Sequence, residues 1–190
     1  MAAQRILSIV FIIIGIVIGK LAYNALFGES DIAEYEDADW NRSVSLGVTY
    51  EAPFELSPIE IKLPQYVKSY IKEMESYKFE SRPIAFFISR AEYRDGVTID
   101  LNGAVEGGIR NLQAQKGITD LSYKVSNIEK NFIEGRLVKG TCKVDEKDAE
   151  FVMQIYAKNL ILLQIMEMNL DYPENREIRD RIMKSIRIAF

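Results

Sequence analysis

The chain has 190 residues, with 28 acids, 24 bases, no histidine and one cysteine. Lacking histidine, it cannot build imidazole triads, Cys–His pairs or most zinc sites, and Cys142 alone allows no intramolecular disulfide. Six acids and no base fall in 29–39; apart from these and from Arg5 and Lys20, residues 40–190 balance 22 acids with 22 bases, which argues against nucleic acid as a partner, because that would call for a basic patch or stripe.

The first element is an apolar run opening on Ile6 and closing on Phe27. Residues 6–19 carry no charge and one hydroxyl, Ser8. At about 1.5 Å per residue, residues 6–27 cover about 33 Å, enough for a hydrocarbon core of about 30 Å. Residues 6–19 alone reach only about 21 Å, so the span depends on Lys20, whose long side chain snorkels from near one end. A removable signal needs a small-x-small exit, and Tyr23 stands where cleavage after Ala25 needs a small residue. No cysteine follows the run, so a lipoprotein anchor is excluded. The expectation is an uncleaved single-pass anchor over 1–27, with cleavage the runner-up. Arg5 before the span and acids after it favour an inside amino terminus and an extracytoplasmic carboxy-terminal part, although Lys20 counts against this. Gly15 and Gly19 have the small-residue spacing that lets two helices approach and would make a homodimer. Glycine is common in spans, and that plainer account is preferred.

Residues 28–42 follow as an acidic linker. A dense acidic run resists collapse, and about 45–50 Å is its greatest reach. Asp37, Asp39 and Asn41 match the first ligand positions of a calcium loop. Arg42 then stands where glycine is needed, and Val48 where the bidentate glutamate belongs. No metal is expected. Asn41-Arg42-Ser43 is a glycosylation sequon, relevant only in a eukaryotic secretory pathway.

Residues 43–190 suffice for one core. Alternation predicts a strand over 44–50, stopped near Pro53 and Pro58. After Pro64, the spacing of Val67, Ile71, Met74 and Tyr77 predicts a helix over 65–79. An apolar strand over 83–93 ends at Asp95-Gly96. Asp100 caps a helix whose apolar face is Leu101, Ala104, Val105, Ile109 and Leu112, ending near Gly117. Strands follow at 121–130, 132–144, 149–157 and 160–169, the last two joined through Lys158-Asn159. A final helix starts at Pro173, carries Ile178, Ile182 and Ile186, and ends the chain. The predicted class is α+β: a transmembrane helix, then an antiparallel sheet flanked by about three helices.

Certain residues in this order suggest a family. They are Val48-Thr49-Tyr50-Glu51-Ala52-Pro53, the helix-opening Asp100-Leu101, the strand pair Gly135 and Gly140, and the closing 182–188 segment. The pattern over about 44–190 resembles the PsbP-like, or Mog-type, fold family, and the resemblance is topological. It implies a binding or assembly module in place of an enzyme. No Ran-binding or metal motif stands here to be carried over. The anchor and the acidic linker depart from the photosystem and Ran-binding members.

Few residues suggest chemistry. Cys142 shares strand parity with Val138 and Val144 and reads as a small buried hydrophobe. Gly135 to Thr141 has phosphate-loop spacing but lacks the lysine and the strand-to-helix setting. Gly103, Gly107 and Gly108 each cost a helix about 1 kcal/mol. Close packing on the sheet is the preferred reason, and a partner site with Arg110 the alternative. Tyr66 and Tyr70 could line a partner groove, though ordinary packing is the commoner cause. No catalytic residue and no cofactor are assigned. The expected function is a membrane-tethered, non-catalytic module binding a protein or small ligand. The alternatives are a membrane-anchored hydrolase using carboxylates and a pilin-like subunit, which lacks the required leader and early acid.

Overall fold

The computed structural model describes residues 39–61, 63, 65–81, 84–171 and 173–189. The expected span over 6–27, with Gly15 and Gly19, lies outside the described residues. No helix among those described is long and apolar enough to cross a membrane.

A seven-stranded antiparallel sheet forms the centre, in the order β3-β4-β5-β9-β8-β7-β6. Its strands are β3 (Ser57–Pro58), β4 (Ile71–Ser81), β5 (Ile84–Tyr93), β6 (Ile118–Lys130), β7 (Ile133–Val144), β8 (Lys147–Lys158) and β9 (Ile161–Leu170). A smaller sheet orders β1 (Asn41–Ser45), β2 (Val48–Ala52) and β10 (Arg187–Ile188) as β1-β2-β10. The helices are α1 (Gln65–Lys68), α2 (Leu101–Gln113) and α3 (Pro173–Ser185). The α+β class with antiparallel sheets is as expected.

The chain leaves β5, crosses one face of the large sheet as α2, and enters at the far edge as β6. It then returns by three hairpins until β9 pairs with β5. Two apolar clusters result, one on each face. Val105, Ile109 and Leu112 of α2 cover Val138, Phe151 and Met166. On the other face Ile178, Ile182 and Ile186, with Val48 and Tyr50 of β2, cover Phe86, Tyr156 and Leu163. Covered on both sides, β5 and β9 are buried at nearly every position, although each carries three polar residues.

Four expectations change. The helix expected over 65–79 is confined to α1, and Ile71–Ser81 is a strand. Its register with β5 shifts between Ile71 and Glu73. A bulge of this kind changes strand parity, so Ile71 and Met74 meet the same cluster and imitate helical spacing. The strand expected over 44–50 is a hairpin. Leu46 and Gly47, at φ 53° and 78°, turn the chain between β1 and β2, and apolar alternation ran across the turn. The β8–β9 turn is Asn159-Leu160, one residue later than expected, since Lys158 pairs with Ile161. The last helix stops at Ser185, and β10 adds a strand to β2. Asp100 caps α2 as expected, its Oδ1 accepting from Asn102 N–H at 2.9 Å. The helix ends at Gln113, and Gly117 takes φ 87° in the turn beyond it.

Candidate functional site

The residues expected at a partner surface do not form one patch. Gly107 is buried. A Cβ on Gly108 would come within 3.2 Å of the Met153 side chain, so that glycine lets α2 settle on the sheet. Arg110 is exposed on the same helix. Tyr66 is 53% exposed on α1, whereas Tyr70 packs against the α2-side cluster.

Reactive groups are sealed. Cys142 is 3% exposed, and burial pushes its thiol up to about 12, so thiolate is scarce. Glu167 on β9 is wholly buried between Val152 of β8 and Phe86 of β5. Neither of its carboxylate oxygens has a hydrogen-bond partner among the described residues, nor has either side-chain polar atom of Asn169 or the Oδ1 of Asn175. Burial holds the Glu167 carboxyl well above the usual carboxylate range, opposed by the Arg179 charge. The one acid with a strongly raised pKa among the described residues is therefore out of reach of a substrate. No grouping of three or more metal-ligating side chains occurs among them either.

Two open surfaces stand out among the described residues. The first lies around α3. Arg179 pairs with Glu150 and with Asp180 (3.1 Å), and Arg176 with Asp171 and Glu150 (3.3 Å). A groove of about 730 Å³ between β2 and α3 mixes four bases with three acids. At its rim the Arg181 guanidinium sits 3.8 Å from the Trp40 ring centroid. On the other side of α3, a cavity of about 350 Å³ is lined by β6, β7, β8 and Arg179.

The second is β6, which ends the sheet and, among the described strands, pairs only with β7. Its register is irregular between Thr119 and Ser122, then unbroken from Ser122 to Lys130. Tyr123 and Val125 are 42% and 45% exposed. At the β6–β7 tip Phe132 is 96% exposed. That tip is tied to β10 and the residue before it, Lys130 Nζ donating to Ile186 O at 3.1 Å and Asn131 Nδ2 to Ile188 O at 2.6 Å. Sequence reasoning missed these features. Edge position follows from strand order, which one strand's composition does not encode. The lone signal was Asn131, a turn residue between two strand-like runs.

No family model and no curated protein matches the sequence. Among solved structures, the cyanobacterial PsbP (CyanoP) of Synechocystis sp. PCC 6803 superposes with a TM-score of 0.54 at 11% identity. The match covers 86% of this chain and 99% of that one. Looser likenesses are LpqN of Mycobacterium tuberculosis (TM-score 0.44, 14% identity, 85% and 99% covered) and the Saccharomyces cerevisiae Ran-binding protein Mog1p (0.43, 11%, 79% and 96%). The chain has the PsbP-like fold.

Proposed function

We propose that the chain is a non-catalytic binding module that pairs an extended segment of a protein partner along β6. In this reading the apolar run over 6–27 tethers it to a membrane, the amino terminus lies inside and the domain is extracytoplasmic. The observation that carries the proposal is the open edge of β6. From Ser122 to Lys130 it is straight enough to keep register with β7, and no strand among those described lies on its outer side. An unpaired edge presents a row of N–H and C=O groups that an added strand satisfies, while alternate side chains give specificity. Tyr123 and Val125 share one face and supply that apolar contact. Lys124, between them, is a common device against indiscriminate pairing.

Burial of Glu167 weighs against the carboxylate hydrolase, since the one strongly shifted acid among the described residues does not meet solvent. Exposed Arg110 on α2 and Tyr66 on α1, away from the β6 edge, are the comparison surface. The test is photo-crosslinking in intact cells, with a benzoylphenylalanine placed at position 123, 125, 66 or 110 of the full chain. Position 123 or 125 should trap one discrete partner, and Asn127→Pro, which removes an N–H from the outer edge and leaves the β6–β7 bonds in place, should abolish the adduct. Equal or stronger trapping at positions 66 and 110 would move the surface from the β6 edge to α1 and α2. No adduct at any position would end the reading.

A further inference from the structure

The cavity beside α3 has a floor set by strand register. Ser122 lies directly opposite Thr141, and Lys124 directly opposite Lys139. In each strand these residues are two apart, so all four project from one face. That face is the one covered by α3, because Lys139 and Thr141 share parity with Ile133 and Leu137, which join the α3-side cluster. Two hydroxyls and two ammonium groups thus stand in adjacent cross-strand rows and line one cavity of about 350 Å³. None of the four side chains has a hydrogen-bond or ion-pair partner among the described residues.

Like charges directly opposite in an antiparallel pair, with Cβ atoms about 4.5–5.5 Å apart, destabilise the sheet. Among the described residues no acid pairs with either lysine. The two acids lining the cavity, Glu150 and Asp180, both engage Arg179, and Glu150 also engages Arg176. Their charge is spent on α3, and Arg179 lines the cavity as well. The lysines are left facing open space with hydroxyl donors beside them.

We infer that this cavity binds a doubly charged oxyanion, a phosphate or phosphomonoester, between Lys124 and Lys139, with Ser122 and Thr141 donating hydrogen bonds. A dianion neutralises both ammonium groups at once and converts their repulsion into two charge-assisted contacts. A monoanionic carboxylate leaves one charge uncompensated. The inference is independent of any strand added to β6, which uses the strand edge and not this face.

The full chain in detergent, in phosphate-free buffer at constant ionic strength set with chloride, is pulsed with an amine-acetylating reagent and each lysine is read by mass spectrometry. Inorganic phosphate should slow acetylation of Lys124 and Lys139 about threefold when present at twice its Kd, and leave exposed Lys147 unchanged. Glycerol 2-phosphate forms a second arm. Protection by both points to the phosphoryl dianion as the feature read, and protection by phosphate alone to the free ion; either supports the site. Lys139→Gln should remove the protection at Lys124 and, without phosphate, should not lower the melting temperature, because it relieves a repulsion. Equal protection by acetate, protection spread over Lys147, protection at Lys124 that survives Lys139→Gln, or none at all would each overturn the site.

Discussion

Phe132 shows most clearly how a single residue departs from what its backbone prefers. With Asn131 it forms the two-residue turn between β6 and β7, since Lys130 pairs with Ile133, and both take positive φ, 52° and 61°. Such a turn favours Asn followed by Gly. Asn131 fits, but a bulky side chain in the left-handed region costs about 1–2 kcal/mol, and at 96% exposure Phe132 regains nothing by burial. Phe132→Gly should therefore raise stability by about 1 kcal/mol after the greater freedom of glycine in the unfolded chain is counted. That is a rise of about 2–4 °C in melting temperature. A fall on heating would show that the phenyl ring makes contacts worth more than the strain. The break at 131 was legible from the two flanking alternating runs. The exposed ring was not, because an apolar residue between two strands reads equally well as core. Register then follows from the turn alone: once 131 and 132 are the tip, Lys124 must oppose Lys139.

Strands were legible where each alternates against a neighbour close in sequence. The four from β6 to β9 were placed within three residues of their observed ends for that reason. Where a non-local partner decides, local spacing misled. Residues 71–81 pair with β5 over ten positions, and that ladder overrides helical spacing that the bulge at Ile71–Glu73 had imitated. The glycines of β7 show the same dependence on a partner strand. Gly135 is opposite Tyr156 and Gly140 opposite Phe151, and each ring lies over its glycine. A Cβ on Gly140 would fall 2.4 Å from the Phe151 ring and 2.5 Å from the Ser122 carbonyl oxygen. The ring could turn aside only into a packed cluster, and the carbonyl belongs to the β6–β7 ladder. Gly140→Ala should thus cost about 3 kcal/mol, seen as an earlier midpoint in urea. Gly108→Ala meets only side-chain ends, Met153 at 3.2 Å and Gln164 Nε2 at 3.4 Å, and regains helix propensity of about 1 kcal/mol, so the two offset and stability should barely change. Equal losses at both sites would mean that the β7 contact is no tighter than the α2 one.

On the scale of the whole molecule, the order of layers was not legible, because crossing α2 over one face and closing β5 against β9 are choices no single segment encodes. That order determines the state of Glu167. Its strand reads Ile-Leu-Leu-Gln-Ile-Met-Glu-Met-Asn-Leu, in which Glu and Asn alternate like the solvent face of an ordinary edge strand. As the neighbour of both β5 and β8, roofed by α3, β9 has no solvent face, and the carboxyl is wholly buried. Burial raises its folded pKa well above the usual value; of the charged groups around it, Arg179 on α3 favours ionisation, while Asp180 on α3 and Glu150 on β8 oppose it. Below the unfolded pKa, near 4.5, both states hold the proton and folding pays no penalty. As pH rises past it, the unfolded chain releases the proton while the folded one keeps it. Stability then falls by about 1.4 kcal/mol per pH unit until pH reaches the folded pKa. Glu167→Gln keeps the shape and removes the titration. Its urea midpoint should match the wild type near pH 4 and exceed it increasingly from pH 5 upward. Parallel profiles across that range would mean that the folded protein accommodates the Glu167 anion, with Arg179 as its counter-charge.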